Sequence, residues 1–176
     1  MTSAFEFTSV PTWTVGAARP DADLSGRYWT VIAFGGAAGD TGDAAEIAAD
    51  WVTQIQTRHR GAEPRVHLVA DDLAARDALE ADLATALVGW RLMIAGPADA
   101  CLRLRALAVR HHVGDDEITV SSTDVGYRDV HCAHCRSVTH AAVELDGVVP
   151  CVGCGRHLVV HAHVSRRIGA HLGVMT

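Results

Sequence analysis

Two Cys-x-x-Cys hooks constrain this chain more than any other feature. Cys132 and Cys135 form the first and Cys151 and Cys154 the second, in the pattern HCAHC-x15-CVGCG. A Cys-x-x-Cys turn aims two sulfurs at one point. Two such turns about 15 residues apart match the spacing of a tetrathiolate metal site. The intervening segment is long enough for a β-hairpin that brings the pairs together. Gly155, after the second hook, permits the left-handed backbone that such a knuckle needs. Two disulfides are the competing reading, and it depends on compartment.

Compartment follows from the rest of the chain. Its 176 residues suit one domain plus a small appendage. No apolar run reaches membrane-spanning length and no charged-then-apolar leader is visible, so a cytoplasmic protein with no membrane partner is expected. Thiols stay reduced there, which favours metal ligands over disulfides. The net charge of −6 argues against a nucleic-acid partner. All 15 basic residues are arginine, which excludes lysine chemistry. Cys101 lies in an apolar helical pattern and reads as a buried, inert thiol.

Periodicity divides the chain into three parts. Residues 1–25 show none and read as an extended arm, which Phe5, Phe7 and Trp13 would pin to the body. From 26 to 124 strands and helices alternate. RYWTVIAF (27–34), RVHLVA (65–70), WRLMIAGP (90–97) and EITVSS (117–122) read as strands. Helices follow the first three. Asp43 with Glu46 predicts a capping box on the first, Asp71 or Asp72 caps the second, and the third spans about 98–112 before Gly114. Such alternation gives a small doubly wound parallel sheet, an α/β fold. Residues 127–176 hold short β-prone pieces around the cysteines, a zinc-ribbon or rubredoxin-like module stable only when a metal closes it. The last stretch, VSRRIGAHLGVMT, has helix-like spacing of Arg166, Arg167, Ile168 and Leu172.

Other candidate sites are weaker. Gly35, Gly36, Gly39 and Thr41 lie between the first strand and first helix, where a phosphate can meet backbone N–H groups. Yet GGAAGDTG is not a clean dinucleotide fingerprint, and Asp40 and Asp43 bring negative charge. Gly96, before Pro97, would shape the floor of the same crevice. Seven histidines cluster in the last fifty residues, but four thiolates already complete a tetrahedron. No nucleophile elbow or catalytic set stands out. Zinc is favoured as the metal, with iron the alternative, because only the second hook carries a glycine and the module has one aromatic, Tyr127.

The stretch from Cys151 to Val174 reads CxGCGRxLxVxxHxSRRxGAxxGV, preceded by GDDEITV and the HCAHC hook. It resembles the DmmA-like small-subunit family of dimethylamine monooxygenase. That resemblance implies an auxiliary subunit of a multi-component bacterial enzyme that oxidatively demethylates secondary methylamines. Haem would sit on another subunit, and a flavin and iron–sulfur reductase would supply electrons from NADPH. The cysteine module would dock on these partners, with Arg166 and Arg167 offered to an acidic surface. Two alternatives are a rubredoxin-like subunit carrying iron between reductase and haem, and a stand-alone zinc-ribbon adaptor. The α/β part is similar to the nicotinamide-binding lobe of ferredoxin-reductase-type flavoproteins. It departs from them in having Ala95 where a cysteine is usual, and in lacking a preceding flavin barrel. Lost hydride transfer is therefore expected.

Overall fold

A computed structural model of the chain describes residues 9–35 and 42–175. Strands β1 (Tyr28–Phe34), β2 (Arg65–Val69), β3 (Trp90–Gly96) and β4 (Ile118–Ser122) form a parallel sheet in the order β2-β1-β3-β4. Helix α1 (Asp43–Arg58) covers one face, and α2 (Asp72–Leu83) and α3 (Ala98–Arg110) cover the other. The alternation within β1 explains this layering. Trp29, Val31 and Ala33 pack with Ile47, Trp51 and Ile55 of α1. Ile32 points the other way, toward Leu79 of α2 and Leu104 of α3.

Helix ends differ in detail from the expectations. Asp71 caps α2 by accepting from the Ala74 N–H at 2.8 Å. Asp43 caps nothing: Gly42 is the N-cap of α1, with no side-chain capping bond. Asp43 and Glu46 instead lie inside the first turn, where carboxylates favour the helix dipole. Helix α3 stops at Arg110, before Gly114, and His112 turns the chain with φ 67°. In the arm, Trp13 packs on the core, whereas Phe5 and Phe7 lie outside the described residues. Two tryptophans add further ties, Trp51 Nε1 donating to the Pro20 carbonyl and Trp29 Nε1 to that of Asp23.

A second, five-stranded sheet follows: β5 (Tyr127–Cys132), β6 (Val138–Ala142), β7 (Val148–Pro150), β8 (His157–Ser165) and β9 (Ala170–Met175), in the order β6-β5-β9-β8-β7. The helix-like tail is thus a turn followed by a strand. Gly169, at φ 74°, ends any helical run. Strand β9 then pairs in parallel with β5 and antiparallel with β8. The segment between the hooks is not a hairpin either, because β6 and β7 lie at opposite edges of the sheet.

One buried polar cluster ties the parallel sheet to α2. Asp82, 5% exposed, accepts from Thr30 Oγ1 at 2.6 Å, pairs with His67 at 2.9 Å, and accepts from Arg65 at 3.0 Å. Trp90 Nε1 donates to Thr30 Oγ1 at 3.0 Å. Burial pushes the Asp82 carboxyl up, but the bonds from Thr30, His67 and Arg65 outweigh it and hold the group below its ordinary value. Replacing Asp82 by Ala removes three hydrogen bonds at a buried carboxylate, so chemical denaturation is expected to show a loss of about 3 kcal/mol. A loss under about 1 kcal/mol would contradict this role.

His171 on β9 is 1% exposed, and its Nδ1 has no partner. Burial first, then the nearby Arg128 charge, pushes it down to about 4, against weaker help from the His161 backbone and Asp129. The folded chain therefore binds this proton less readily than the unfolded one. Its contribution is complete above the ordinary value near 6.5 and shrinks as pH falls toward 4. Stability measured between pH 7 and pH 4 is expected to fall by up to roughly 3 kcal/mol through this group, and His171→Phe to flatten that slope.

Candidate metal centre

Each hook is the turn of its own hairpin. Cys132 to Ser137 joins β5 to β6, and Cys151 to Arg156 joins β7 to β8. The two turns are built alike. Cys132 N–H donates to the Ser137 carbonyl at 2.9 Å, and Arg136 N–H returns to Cys132 at 2.9 Å. In the second, Cys151 N–H donates to Arg156 at 2.8 Å and Gly155 N–H to Cys151 at 2.9 Å. The fifth position of each turn is left-handed, at φ 71° for Gly155 and φ 65° for Arg136. Gly155 fits the expected knuckle backbone, while the first hook adopts it without glycine.

Strand β9 and β6 bring the hooks together. Ala133 N–H in the first hook donates to the Gly173 carbonyl, and Val152 N–H in the second to Thr139 Oγ1. The four Sγ atoms then lie within 4.8 Å of one another. Cys132 and Cys154 are 3.9 Å apart and Cys135 and Cys151 3.5 Å. These separations far exceed a disulfide bond of about 2.05 Å. A tetrahedron with metal–sulfur bonds of about 2.3 Å has edges near 3.8 Å, so the donor set fits a thiolate metal. Cys132 and Cys151 are buried, and Cys135 and Cys154 half-buried.

The electrostatics also call for a cation. Hydrogen bonds from the Ser137 side chain and backbone lower the Cys135 thiol to about 6. For Cys151, burial opposes the thiolate, but N–H groups of Cys154 and Gly153 bring the net shift down. Cys154 goes the other way: the Arg156 backbone favours its thiolate, yet burial and the neighbouring sulfurs push it up to about 11. Four adjacent thiolates cannot all ionise without a positive charge among them. His131 is half-buried and His134 exposed, and neither joins the sulfur cluster.

The glycine-loop site is described only in part. Gly36, Gly39 and Thr41 lie outside the described residues. The Gly35 N–H is taken by the Val69 carbonyl at 3.1 Å. At Gly96, φ is 154° and an added Cβ would lie 2.7 Å from Phe34 Cβ, so this glycine makes room for Phe34. The cleft beside them is lined by Asp71, Asp72 and Asp99 together with Arg103, whose charge Asp72 and Asp99 already answer. Cys101 is fully buried, and burial pushes its thiol up.

Sequence reasoning missed the residue that joins the two sheets. Arg103 of α3 reaches Asp129 of β5 at 2.6 Å, Asp72 of α2 at 2.6 Å and Asp99 at 3.0 Å. Burial opposes its charge, but Asp72 and Asp129 more than offset this. Asp129 also pairs with His140 at 2.9 Å, and Tyr127 stacks on that imidazole. Only the Asp99–Arg103 spacing carries a local signal, because the other partners are remote in sequence.

Residues 129–174 match the family described as dimethylamine monooxygenase subunit DmmA-like, C-terminal domain. The matched stretch is about a quarter of the chain. It spans β5 to β9 and contains all four cysteines. The chain is also 38% identical over 112 residues to the heme-dependent oxidative N-demethylase delta subunit of Ectopseudomonas mendocina (strain ymp). The aligned part is 61% of this chain and 63% of that relative, a little under two thirds of its length. No solved structure gives a significant match. Among the described residues, no helix is long and apolar enough to cross a membrane.

The DmmA-like module should respond in opposite ways to changes at the left-handed positions of its two hooks. Gly155→Ala is expected to destabilise it by about 1 kcal/mol, and Arg136→Gly to stabilise it by a similar amount. Thermal unfolding of both variants checks this; equal shifts of one sign would refute it.

Proposed function

We propose that this chain is an auxiliary, non-haem subunit of a haem-dependent oxidative N-demethylase acting on a secondary methylamine. The observation that carries this reading is the closed four-sulfur cluster within a DmmA-like module. The relative's description as a delta subunit of a heme-dependent N-demethylase supplies the enzyme class and implies companion subunits. We assign haem and the flavin and iron–sulfur centres to those companions.

Cys132, Cys135, Cys151 and Cys154 would hold zinc. When bound, zinc would offset part of the thiolate charge and crosslink the two hairpins; it brings no redox chemistry. The sulfurs fill every position of a tetrahedron and leave none for substrate. Ser137 holds the Cys135 thiolate by hydrogen bonds, and the N–H groups around Cys151 do the same for that sulfur. The parallel sheet serves as a rigid support for the module through Arg103. Phe34 and the three aspartates at its carboxyl edge support a body that has given up nucleotide binding.

Metal analysis of the purified chain tests the assignment. The expected result is one zinc per chain, a colourless protein, and loss of the β5–β9 sheet on chelation. A red protein that bleaches on reduction would instead establish the iron-bearing electron carrier. Copurification with companion subunits tests membership of the complex separately. A module that stays folded without metal would remove the structural role.

A further inference from the structure

The chain is acidic overall, yet one face is basic. Gly169 seats the β8–β9 turn directly on α3: an added Cβ there would lie 2.6 Å from the Leu102 carbonyl oxygen. The seating brings Arg166 and Arg167 of the turn against Arg105 and Arg110 of the helix. Arg105 and Arg166 both reach Asp115, so one carboxylate answers two guanidinium groups. Burial first and Arg166 second push Arg105 below its ordinary value, the mark of crowded positive charge. Arg110 Nη1 donates to the Arg167 carbonyl at 2.7 Å. Among the described residues, neither Arg110 nor Arg167 has a carboxylate partner.

Arg110 is also the rim of a groove between α2 and α3. The groove encloses about 410 Å³; Phe34 and Leu107 are the half-buried apolar part of its floor, over the buried Ala75 and Leu104, and Asp72 and Glu80 also line it. The other rim arginines are already answered, Arg76 by Glu80 at 3.0 Å and Arg103 by Asp72 at 2.6 Å. An occupant must therefore bring apolar surface for the floor and negative charge for the Arg110 end. A neutral peptide would leave two guanidinium groups unanswered at the interface, and a nucleic acid would meet the acidic remainder of the chain.

We propose that this groove docks an acidic segment of a companion subunit, one apolar side chain resting on Phe34 and Leu107 and its carboxylates meeting Arg110 and Arg167. The proposal rests on the reading of the chain as a subunit. It adds a second contact, away from the sulfur cluster, and gives the basic turn a specific counterpart. Guanidinium–carboxylate pairs of this kind are planar and bidentate, so they set register as well as attraction.

The experiment uses the full metal-loaded chain and the purified companion subunits of the same enzyme. Binding is measured at rising salt, alongside hydrogen exchange of α3 and the β8–β9 turn. The wild type is expected to bind, to weaken about tenfold or more between 50 and 300 mM salt, and to protect both segments. Arg167→Glu alone, whose side chain is exposed, should weaken binding about tenfold with zinc content and melting unchanged. Arg110→Glu with Arg167→Glu should weaken it further, while Arg58→Glu on α1 should have no effect. Tight binding by the charge-reversed variants would overturn the groove and leave the subunit reading intact. Failure of the wild type to bind would overturn both. Protection of the groove by millimolar glutarate alone, without companions, would reassign it to a small dicarboxylate.

Discussion

Mutual repulsion among four sulfurs governs the C-terminal half of this molecule. The hydrophobic cluster there has only six buried members, and two of them, Cys132 and Cys151, are themselves ligand positions. So small a cluster cannot outweigh the conformational entropy of five short strands by apolar burial alone. The same side chains that fill the core also carry the charge that would burst it. A cation held as proposed would resolve both difficulties at once and make metal capture and folding one process for this module.

The parallel sheet depends on a different logic. Its two faces are covered by α1 and by the α2–α3 pair, and its core needs no external atom. Polar groups inside it are matched rather than absent, with Asp82 collecting bonds from two strands while Trp90 engages Thr30. Arg103 then joins this body to the cysteine-bearing sheet. A surface ion pair contributes little, but a guanidinium held by three carboxylates from three elements fixes an orientation. The body thus presents the module at a defined angle to whatever it meets.

Much of this was legible in the sequence because the signals are local. A Cys-x-x-Cys turn is four residues long, and a buried parallel strand is a continuous apolar run such as Val31 to Phe34. Cap and tail readings failed where two local signals compete. Asp43 follows Gly42, and either can begin a helix. Ile168 and Leu172 have helical spacing, but Gly169 between them needs a left-handed backbone. The hairpin expected between the hooks failed for a longer-range reason. β6 and β7 each pair with the strand on the far side of their own hook, and the space between the two hairpins is filled by β9. Nothing near Asp129 announces Arg103, and nothing near Asp82 announces Thr30. The glycine loop's residues 36, 39 and 41 lie outside the described part of the chain.

The position of β9 has a consequence for how the molecule is made. Chains emerge from the ribosome N-terminus first, so both hooks emerge before the strand that lies between their hairpins. For that interval each hairpin offers an open edge and two unshared thiols, a state open to mispairing and oxidation. A metal that arrives early can hold the hairpins near each other but leaves a gap one strand wide. The parallel match of β5 to β9 then fills that gap as a closing wedge, after which neither hairpin can swing away without breaking a ladder on its inner side. The hooks thus emerge ahead of the wedge that locks their hairpins in place.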